Sequence, residues 1–441
     1  MKKFISTIKN IWSIEELRNR ILATLGFLII FRLGSFVVLP GVDPTKLGDA
    51  DGGILGILNT LLGGSFSRAS IFGLGIMPYI SASIVIQLMT VAVPSFQKMQ
   101  KEGESGRKKL TQITRVLTIL VTLAQSIGYL KVTIPNEAII PGVNGTLFTV
   151  SSMILLTAGT MFCMWLGEKI TDKGIGNGIS MLIMIGIISS LPGAFWLEVV
   201  ETNGISRALF SVVEMIALFF VVLVTVALVQ ATRRIKVNYA KQVVGGKVYG
   251  GQRQFIPLKV NASGVMPIIF AQALMILPTL IGNIWAEDST FWQKVTVAFS
   301  NPNSVAYNVV FALMIIAFTF FYTAITVNPS SMADDLKRSG GFIPGVKPGK
   351  PTSDFIGGVL DKITLPGSIF LAIIAILPTF AYQAGVQQAF SYFFGGTSLL
   401  IMVGVILDTL QQIESYLLMR HYEGMMKSGK KRGRPQNVAV A

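Results

Sequence analysis

Long apolar runs separated by polar segments repeat along the whole chain. Ten of these runs carry few or no charged side chains, and each is long enough to cross about 30 Å of hydrocarbon as a helix. The runs lack the alternation of a membrane barrel, and open strands would leave backbone groups unsatisfied in lipid. The pattern predicts ten transmembrane helices, spans 1 to 10, over residues 21–39, 71–93, 113–130, 148–167, 175–197, 211–232, 263–285, 305–327, 365–385 and 397–417.

The composition is typical of a polytopic membrane protein. Hydrophobic residues make up 51% of the 441 residues and charged residues 13%, whereas about a quarter is charged in soluble domains. One cysteine, Cys163, and one histidine, His421, exclude disulfides, Cys/His zinc sites and histidine-dependent triads. The sequence has no P-loop, HExxH or GxSxG motif. We therefore expect neither an enzyme nor a bound cofactor or metal.

The distribution of Lys and Arg predicts the orientation of the spans. Of the 37 basic residues, 31 lie in the two termini and the even-numbered loops, and five lie in the odd-numbered loops. Short loops rich in Lys and Arg stay on the cytoplasmic side. We therefore expect a multi-pass protein with both termini in the cytoplasm and an uncleaved first span. The net charge of +15 then reflects topology, and we expect no direct DNA binding.

The segment before span 1 is amphipathic. Residues 1–20 place five apolar side chains among lysines, which fits a helix on the inner membrane surface as well as a frayed terminus. The apolar residues are Phe4, Ile5, Ile8, Ile11 and Trp12. At the other end, residues 420–441 form a basic tail.

Spans 2 and 7 contain related sequences. GIMPYISASIVIQL (Gly75 to Leu88) and GVMPIIFAQALMIL (Gly264 to Leu277) coincide at six of fourteen positions without a gap. Each is the second span of a group of five. Because five is an odd number, the second group starts on the opposite side of the membrane and is inverted relative to the first. The sequence therefore predicts two inverted halves, 21–200 and 201–419, with a pathway at their interface. The alternative is two unrelated kinked helices.

A short apolar segment precedes span 2. It lies between the pairs Gly52-Gly53 and Gly63-Gly64 and is too short to cross the bilayer. We predict a re-entrant half helix; the alternative is a plain outer loop. Its apolar side chains are Ile54, Leu55, Ile57, Leu58, Leu61 and Leu62.

The sixth and eighth loops, residues 231–262 and 328–364, are long and basic. Together they hold twelve Lys and Arg residues. Topology and attraction to anionic lipid explain part of this charge. A docking surface for an acidic or phosphate-rich partner explains both the charge and the length. The candidate docking residues are Lys247, Arg253, Lys337, Arg338 and Lys347.

Eight stretches are more specific than a generic transmembrane pattern. They are FRLGSF…PG (31–41), SRASIFGLGIMPYISASIVIQL (67–88), QKEGESGRKK (100–109), MFCMWLGEKITDKGIGNGIS (161–180), RRIKVNYAKQ (233–242), PLKVNASGVMPIIFA (257–271), FYTAITVNP (321–329) and YFFGGTSLLI (392–401). Over its whole length the chain therefore resembles the SecY family, the channel subunits of the bacterial protein-export translocon.

The resemblance implies an all-α fold of ten helices in two inverted halves around a central pore. It implies a protein-conducting channel in the inner membrane that moves unfolded polypeptides outward and releases transmembrane segments sideways into lipid. Residues 53–70 would form the plug of that channel. An aliphatic ring would close the pore, because apolar constrictions exclude ions by dewetting. The matching ring positions are Ile76, Ile80, Ile179, Ile183, Ile269 and Ile401.

The same resemblance implies a lateral gate between spans 2–3 and 7–8. Polar side chains on these helices either weaken the closed seam or serve ordinary helix packing. The candidates are Ser81, Ser83, Gln87 and Gln125. Implied partners are SecE-like and SecG-like small subunits, a SecA-like ATPase motor, the ribosome, signal sequences and unfolded preproteins. In the eighth loop, Lys347 replaces the family's usual arginine, which keeps the charge but removes the planar fork.

A secondary transporter of a small solute is the alternative function. An inverted repeat and broken helices are also typical of such carriers. Carriers normally bury carboxylates to hold an ion, and Asp408 is the carboxylate that lies well inside a span. Pairing of Asp408 with a neighbouring helix or subunit is the other interpretation. The long basic loops and the plug-like segment favour the channel.

Overall fold

The computed structural model describes residues 11–47, 53–141, 144–200, 205–239, 242–244, 247–249, 253–272, 274–275, 294, 297–299 and 301–432. The first half consists of α1 (Glu15–Gly34), α2 (Gly53–Leu61), α3 (Met77–Ala92), α4 (Pro94–Lys101), α5 (Glu104–Thr133), α6 (Gly145–Lys173) and α7 (Gly178–Val200).

The second half begins with α8 (Ile205–Gln230) and four strands, β1 (Thr232–Tyr239), β2 (Gln242–Val244), β3 (Lys247–Tyr249) and β4 (Arg253–Lys259). It continues with α9 (Val305–Thr326), α10 (Pro329–Arg338), β5 (Gly341–Phe342), α11 (Lys350–Gln383), α12 (Gln388–Ser391) and α13 (Gly396–Arg432). Between β4 and α9, residues 266–272 of span 7 are helical.

The helices agree with the ten predicted spans. Within the described residues, seven helices are long and apolar enough to cross a membrane, and the pair α3–α4, bent by 98°, would be an eighth. The helix α1 occupies span 1, and span 7 is described only in part. Residues 1–10 of the amphipathic segment and residues 433–441 of the tail lie outside the described residues.

Several predicted boundaries were wrong. Span 2 was expected to begin at residue 71, but residues 71–76 form turns and α3 begins at Met77. Gly75 has φ +52°, a left-handed conformation that ends the preceding turn. Pro78 therefore lies in the first helical turn, where no backbone N–H is lost, rather than at a kink.

Span 7 begins in the same way. Gly264 has φ +65°, and helix follows from Met266 with Pro267 in its first turn. The backbone N–H of Ile80 donates to Ile76 O, and that of Ile269 donates to Val265 O. The repeated sequence thus folds into the same glycine turn and proline-started helix in both halves.

The two long loops fold together into one unit, which we name the loop platform. Strand β1 pairs antiparallel with β4 from the sixth loop and with β5 from the eighth. Seven buried apolar side chains fill the space between this sheet, α10 and the start of α11. They are Ile235, Val237, Leu258, Leu336, Ile343, Ile356 and Leu360.

The helices and strands of the loop platform were not predicted from the sequence. Helix α11 begins at Lys350, fifteen residues before predicted span 9, and α10 lies inside the predicted eighth loop. Gly349, with φ +99°, provides the reversal that starts α11. The membrane helices confirm the all-α prediction, and the strands are confined to the loops.

Candidate functional site

All six predicted ring isoleucines belong to one apolar cluster. Ile76, Ile80 and Ile401 are buried members, and Ile179, Ile183 and Ile269 are half-buried and pack against them. Four segments deliver these side chains: the start of α3, the start of α7, residues 266–272 and the start of α13. In each segment the isoleucines lie at or near the first turn of the helix. The position of the ring therefore depends on the residue at which each helix begins.

The apolar segment before span 2 is a half helix, as predicted. Helix α2 covers Gly53–Leu61 and continues in turns to Ser70; we call residues 53–70 the plug. Leu61 is buried in the cluster that holds the ring isoleucines, and Ile57 packs against it. Leu62 belongs to a second cluster with Phe66 and Leu74. The side chains of Ile54 and Leu55 lie outside the described part of the chain.

Plug and ring line one small cavity. Leu61 and Leu62 from the plug face Ile76 and Ile183 from the ring across a space of about 20 Å³. The remaining lining residues are Phe31, Met77 and Leu182. An apolar space of this size holds no more than about one water-sized sphere. The cavity wall is therefore predominantly apolar at the point where plug and ring meet.

The end of α2 and the turn after it pack against α7 without room for a further side chain. A Cβ at Gly63 would lie 2.6 Å from Ser189 Oγ, and a Cβ at Gly186 would lie 2.5 Å from Leu61 O. The hydroxyl of Ser190 donates to Thr60 O at 3.0 Å. Two facing glycines and one hydrogen bond thus hold the plug against the wall that carries Ile179 and Ile183.

Two further hydrogen bonds connect the plug to other helices. Arg32 Nη1 at the end of α1 donates to Gly63 O at 2.9 Å, and Tyr129 Oη on α5 donates to Phe66 O at 2.8 Å. These two carbonyls lie in the turns after α2, and side chains of other helices provide their hydrogen-bond donors. Sequence analysis did not identify Arg32 as a plug contact, although a lone arginine inside an apolar span was a usable signal.

Among the described residues of the predicted gate, one polar contact joins the two halves of the chain. The hydroxyl of Tyr322 on α9 donates to Gln87 Oε1 on α3, across 235 residues of sequence. Beside this bond, Phe270 packs against Phe318 and Tyr322, with ring centroids 5.6 and 5.7 Å apart. Gln87 was a predicted gate residue, whereas its partner was not found from the sequence.

The other polar gate candidates serve local roles. Ser81 Oγ donates to Met77 O within its own helix, and Ser83 Oγ accepts from Gln87 Nε2. Gln125 on α5 is exposed. Only Gln87 among the four makes a hydrogen bond to the opposite half within the described residues, so the helix-packing interpretation fits Ser81.

The candidate docking residues all lie in the two long loops. Lys337 and Arg338 end α10 and are exposed, and Lys347 is exposed in the turn between β5 and α11. Gly345 and Gly349 on either side of Lys347 have φ +84° and +99°, and Thr352 Oγ1 donates to Lys347 O. The side chains of Lys247 and Arg253 lie outside the described residues.

Within the described residues, the ionisable groups of the spans do not gather into a metal-binding cluster. Asp408 is exposed on α13, and no group of three His, Cys, Asp or Glu side chains could hold a metal. Glu198, which sequence analysis missed, is fully buried and accepts from the Gln387 backbone N–H at 2.8 Å. That bond ties α7 to the start of α12.

The sequence of this chain is similar to known proteins over nearly its whole length. A sequence profile of the SecY family matches residues 70–410. The protein translocase subunit SecY of Mycobacterium bovis is 40% identical over 450 residues, covering 97% of this chain and all of the relative. The chain belongs to the SecY family. The subunit of the same description from Halalkalibacterium halodurans is 44% identical and covers 96% of this chain and 99% of its own length.

Solved structures share the SecY fold. "The structure of a protein conducting channel" superposes with a TM-score of 0.63 at 16% identity, covering 90% of this chain and 92% of that one. Two others have a TM-score of 0.58 with the same coverage and identity. One is described as showing that the SecY plug domain stabilises the closed channel and maintains a membrane seal. The other is Sec61 in a canine ribosome–channel complex.

Proposed function

We propose that this protein is the pore-forming subunit of a protein-conducting channel. It moves unfolded secretory polypeptides across the cytoplasmic membrane and releases transmembrane segments laterally into lipid. The observation that carries the proposal is the contact between plug and ring, where Leu61 and Leu62 share a cavity with Ile76 and Ile183. A ring of isoleucines has no fixed polar partner, so it can close around chains of any sequence.

The channel acts as a passive conduit and not as an enzyme. Work is supplied by a SecA-like ATPase or by the ribosome, and SecE-like and SecG-like subunits complete the complex. A solved relative is itself a ribosome-bound channel. Asp408, the carboxylate considered for a small-solute carrier, is exposed rather than enclosed, which gives that alternative no support. Both termini and the loop platform face the cytoplasm, in agreement with the distribution of Lys and Arg.

Reconstitution tests this function directly. The purified complex in liposomes, supplied with a SecA-like motor and ATP, should protect a secretory preprotein from added protease. Co-purification should recover small subunits of one to three spans. Uptake of a small solute without preprotein translocation would instead favour the carrier.

The lateral gate opens between Gln87 and Tyr322. We expect Tyr322→Phe to ease gate opening, since it removes one inter-half hydrogen bond while keeping the ring contact with Phe270. A net hydrogen bond is worth about 1 kcal/mol, so the open population should rise roughly fivefold. Translocation of a preprotein with a weakened signal sequence measures the change.

A matched control uses a hydroxyl that bonds only within its own helix. Ser81→Ala removes the donor to Met77 O and should leave translocation of the weak signal sequence unchanged. Equal rates for wild type and Tyr322→Phe would contradict the role of this bond in the gate.

The loop platform docks the motor and the ribosome through its exposed basic side chains. We expect Lys347→Glu to slow motor-driven transport, mainly through a lower association rate, because an exposed rim charge steers encounter. The idle channel should remain sealed. Motor binding measured against salt concentration should show a shallower salt dependence in the variant.

Lys347→Arg separates charge from shape. If charge alone is needed, this variant binds the motor as the wild type does; if a planar fork is needed, it binds more tightly. Full motor-driven transport by Lys347→Glu would show that docking occurs elsewhere.

A further inference from the structure

Two arginines share one exposed aromatic ring where α1 meets the plug. The guanidinium carbon of Arg32 lies 4.7 Å from the centroid of the Phe36 ring, and that of Arg68 lies 4.5 Å from it. Arg32 comes from the last turn of α1, whereas Arg68 comes from the plug. Two separate elements thus bring like charges together, which is unfavourable unless a counter-charge is present.

The described part of the chain supplies no such counter-charge. Its ion pairs all involve other basic residues. Arg32 Nη1 donates to Gly63 O and more weakly to Ser35 Oγ, and Arg68 Nη1 is buried without a hydrogen-bond partner. Both side chains are only half-buried, so their accessible guanidinium N–H groups have capacity for an anion with several acceptor oxygens.

We propose that Arg32 and Arg68 bind the phosphate of an anionic phospholipid. Guanidinium groups match phosphate oxygens in geometry and charge. Beside the arginines, Ile29 and Leu33 lie one turn apart on α1, Phe36 lies in the turn that follows, and the three are 59%, 65% and 54% exposed. They form an exposed apolar surface that the acyl chain of a lipid would cover. Free phosphate would leave this surface exposed.

The bound lipid also acts on the plug. Arg32 holds the phosphate and the Gly63 carbonyl at the C-terminal end of α2 at once, and Arg68 is part of the plug itself. A lipid phosphate between the two arginines therefore joins the plug to span 1. Removal of anionic lipid should loosen the plug. Lipid binding at the two arginines is independent of which polypeptides the channel moves.

Native mass spectrometry of the full complex tests the site. The complex is released from nanodiscs of phosphatidylcholine and phosphatidylglycerol, and the retained phosphatidylglycerol molecules are counted. Arg32→Gln and Arg68→Gln should each lower occupancy of one lipid roughly fivefold or more. Arg68→Lys should retain part of the binding, which separates lost affinity from a folding defect.

Lys131→Gln is the matched control, because Lys131 is an exposed basic residue at the end of α5. It should leave lipid retention unchanged; an equal loss would mean diffuse attraction and overturn the proposal. Equal retention by wild type and both Gln variants would overturn it as well. A second arm adds inorganic phosphate to pure phosphatidylcholine nanodiscs. If phosphate protects Arg68 from phenylglyoxal as strongly as phosphatidylglycerol does, the ligand is a free anion and not a lipid.

Discussion

A double Ile80→Ser, Ile269→Ser variant is expected to leak ions in the idle state. The two residues occupy equivalent positions in the repeated sequence and belong to the cluster that the plug touches. Burial of an isoleucine side chain is worth about 1.5–3 kcal/mol, and serine adds a hydroxyl that holds water in the constriction. Loss at two positions should raise the open, wetted population roughly tenfold or more.

Single-channel recording in a planar bilayer measures this leak. Ile154→Ser, Ile216→Ser is the control, because both isoleucines are more than half exposed on the outer surface of the helix bundle. The control should conduct no more than the wild type. A sealed double ring variant that still translocates preprotein would show that these isoleucines are not the constriction.

The spans could be predicted because apolar run length is a local property of the sequence. Any stretch such as 148–167 must find a nonpolar environment wherever the rest of the chain lies, and α6 covers it fully. The helix starts were less predictable. Residues 71–76 are as apolar as the helical part of span 2, but they form turns because the backbone of Gly75 is in the left-handed conformation. Hydropathy does not report that conformation.

Contacts between distant residues could not be predicted from the single sequence. The sixth and eighth loops were identified as long and basic, yet Asn238 of one pairs with Phe342 of the other across more than a hundred residues. Gln87 was singled out as polar, but nothing near it in sequence identifies Tyr322 as its partner. Ring positions came from resemblance to a family, since a single isoleucine in a membrane helix usually reports packing alone.

The contact between Gly63 of the plug and Gly186 of α7 leads to the second prediction with a large expected effect. Gly186→Val should displace the plug from α7, because the added Cβ would lie 2.5 Å from Leu61 O, a backbone atom that cannot turn aside. Overpacking of this kind costs about 1–3 kcal/mol, so the displaced state should become roughly five- to a hundredfold more populated. A Leu58→Cys reporter on α2 measures the displacement through its reaction with a membrane-impermeant maleimide.

Gly193→Val on the same helix is the control, since a Cβ there meets nothing within 4 Å. In idle channels, the reporter should be shielded in the wild type and in Gly193→Val, and should react quickly in Gly186→Val. During translocation, all three should react alike, because the plug has then left its seat. If Gly186→Val shields the reporter as well as the wild type does, the contact between Gly63 and Gly186 does not hold the plug. The seal would then depend on the hydrogen bonds from Arg32, Tyr129 and Ser190.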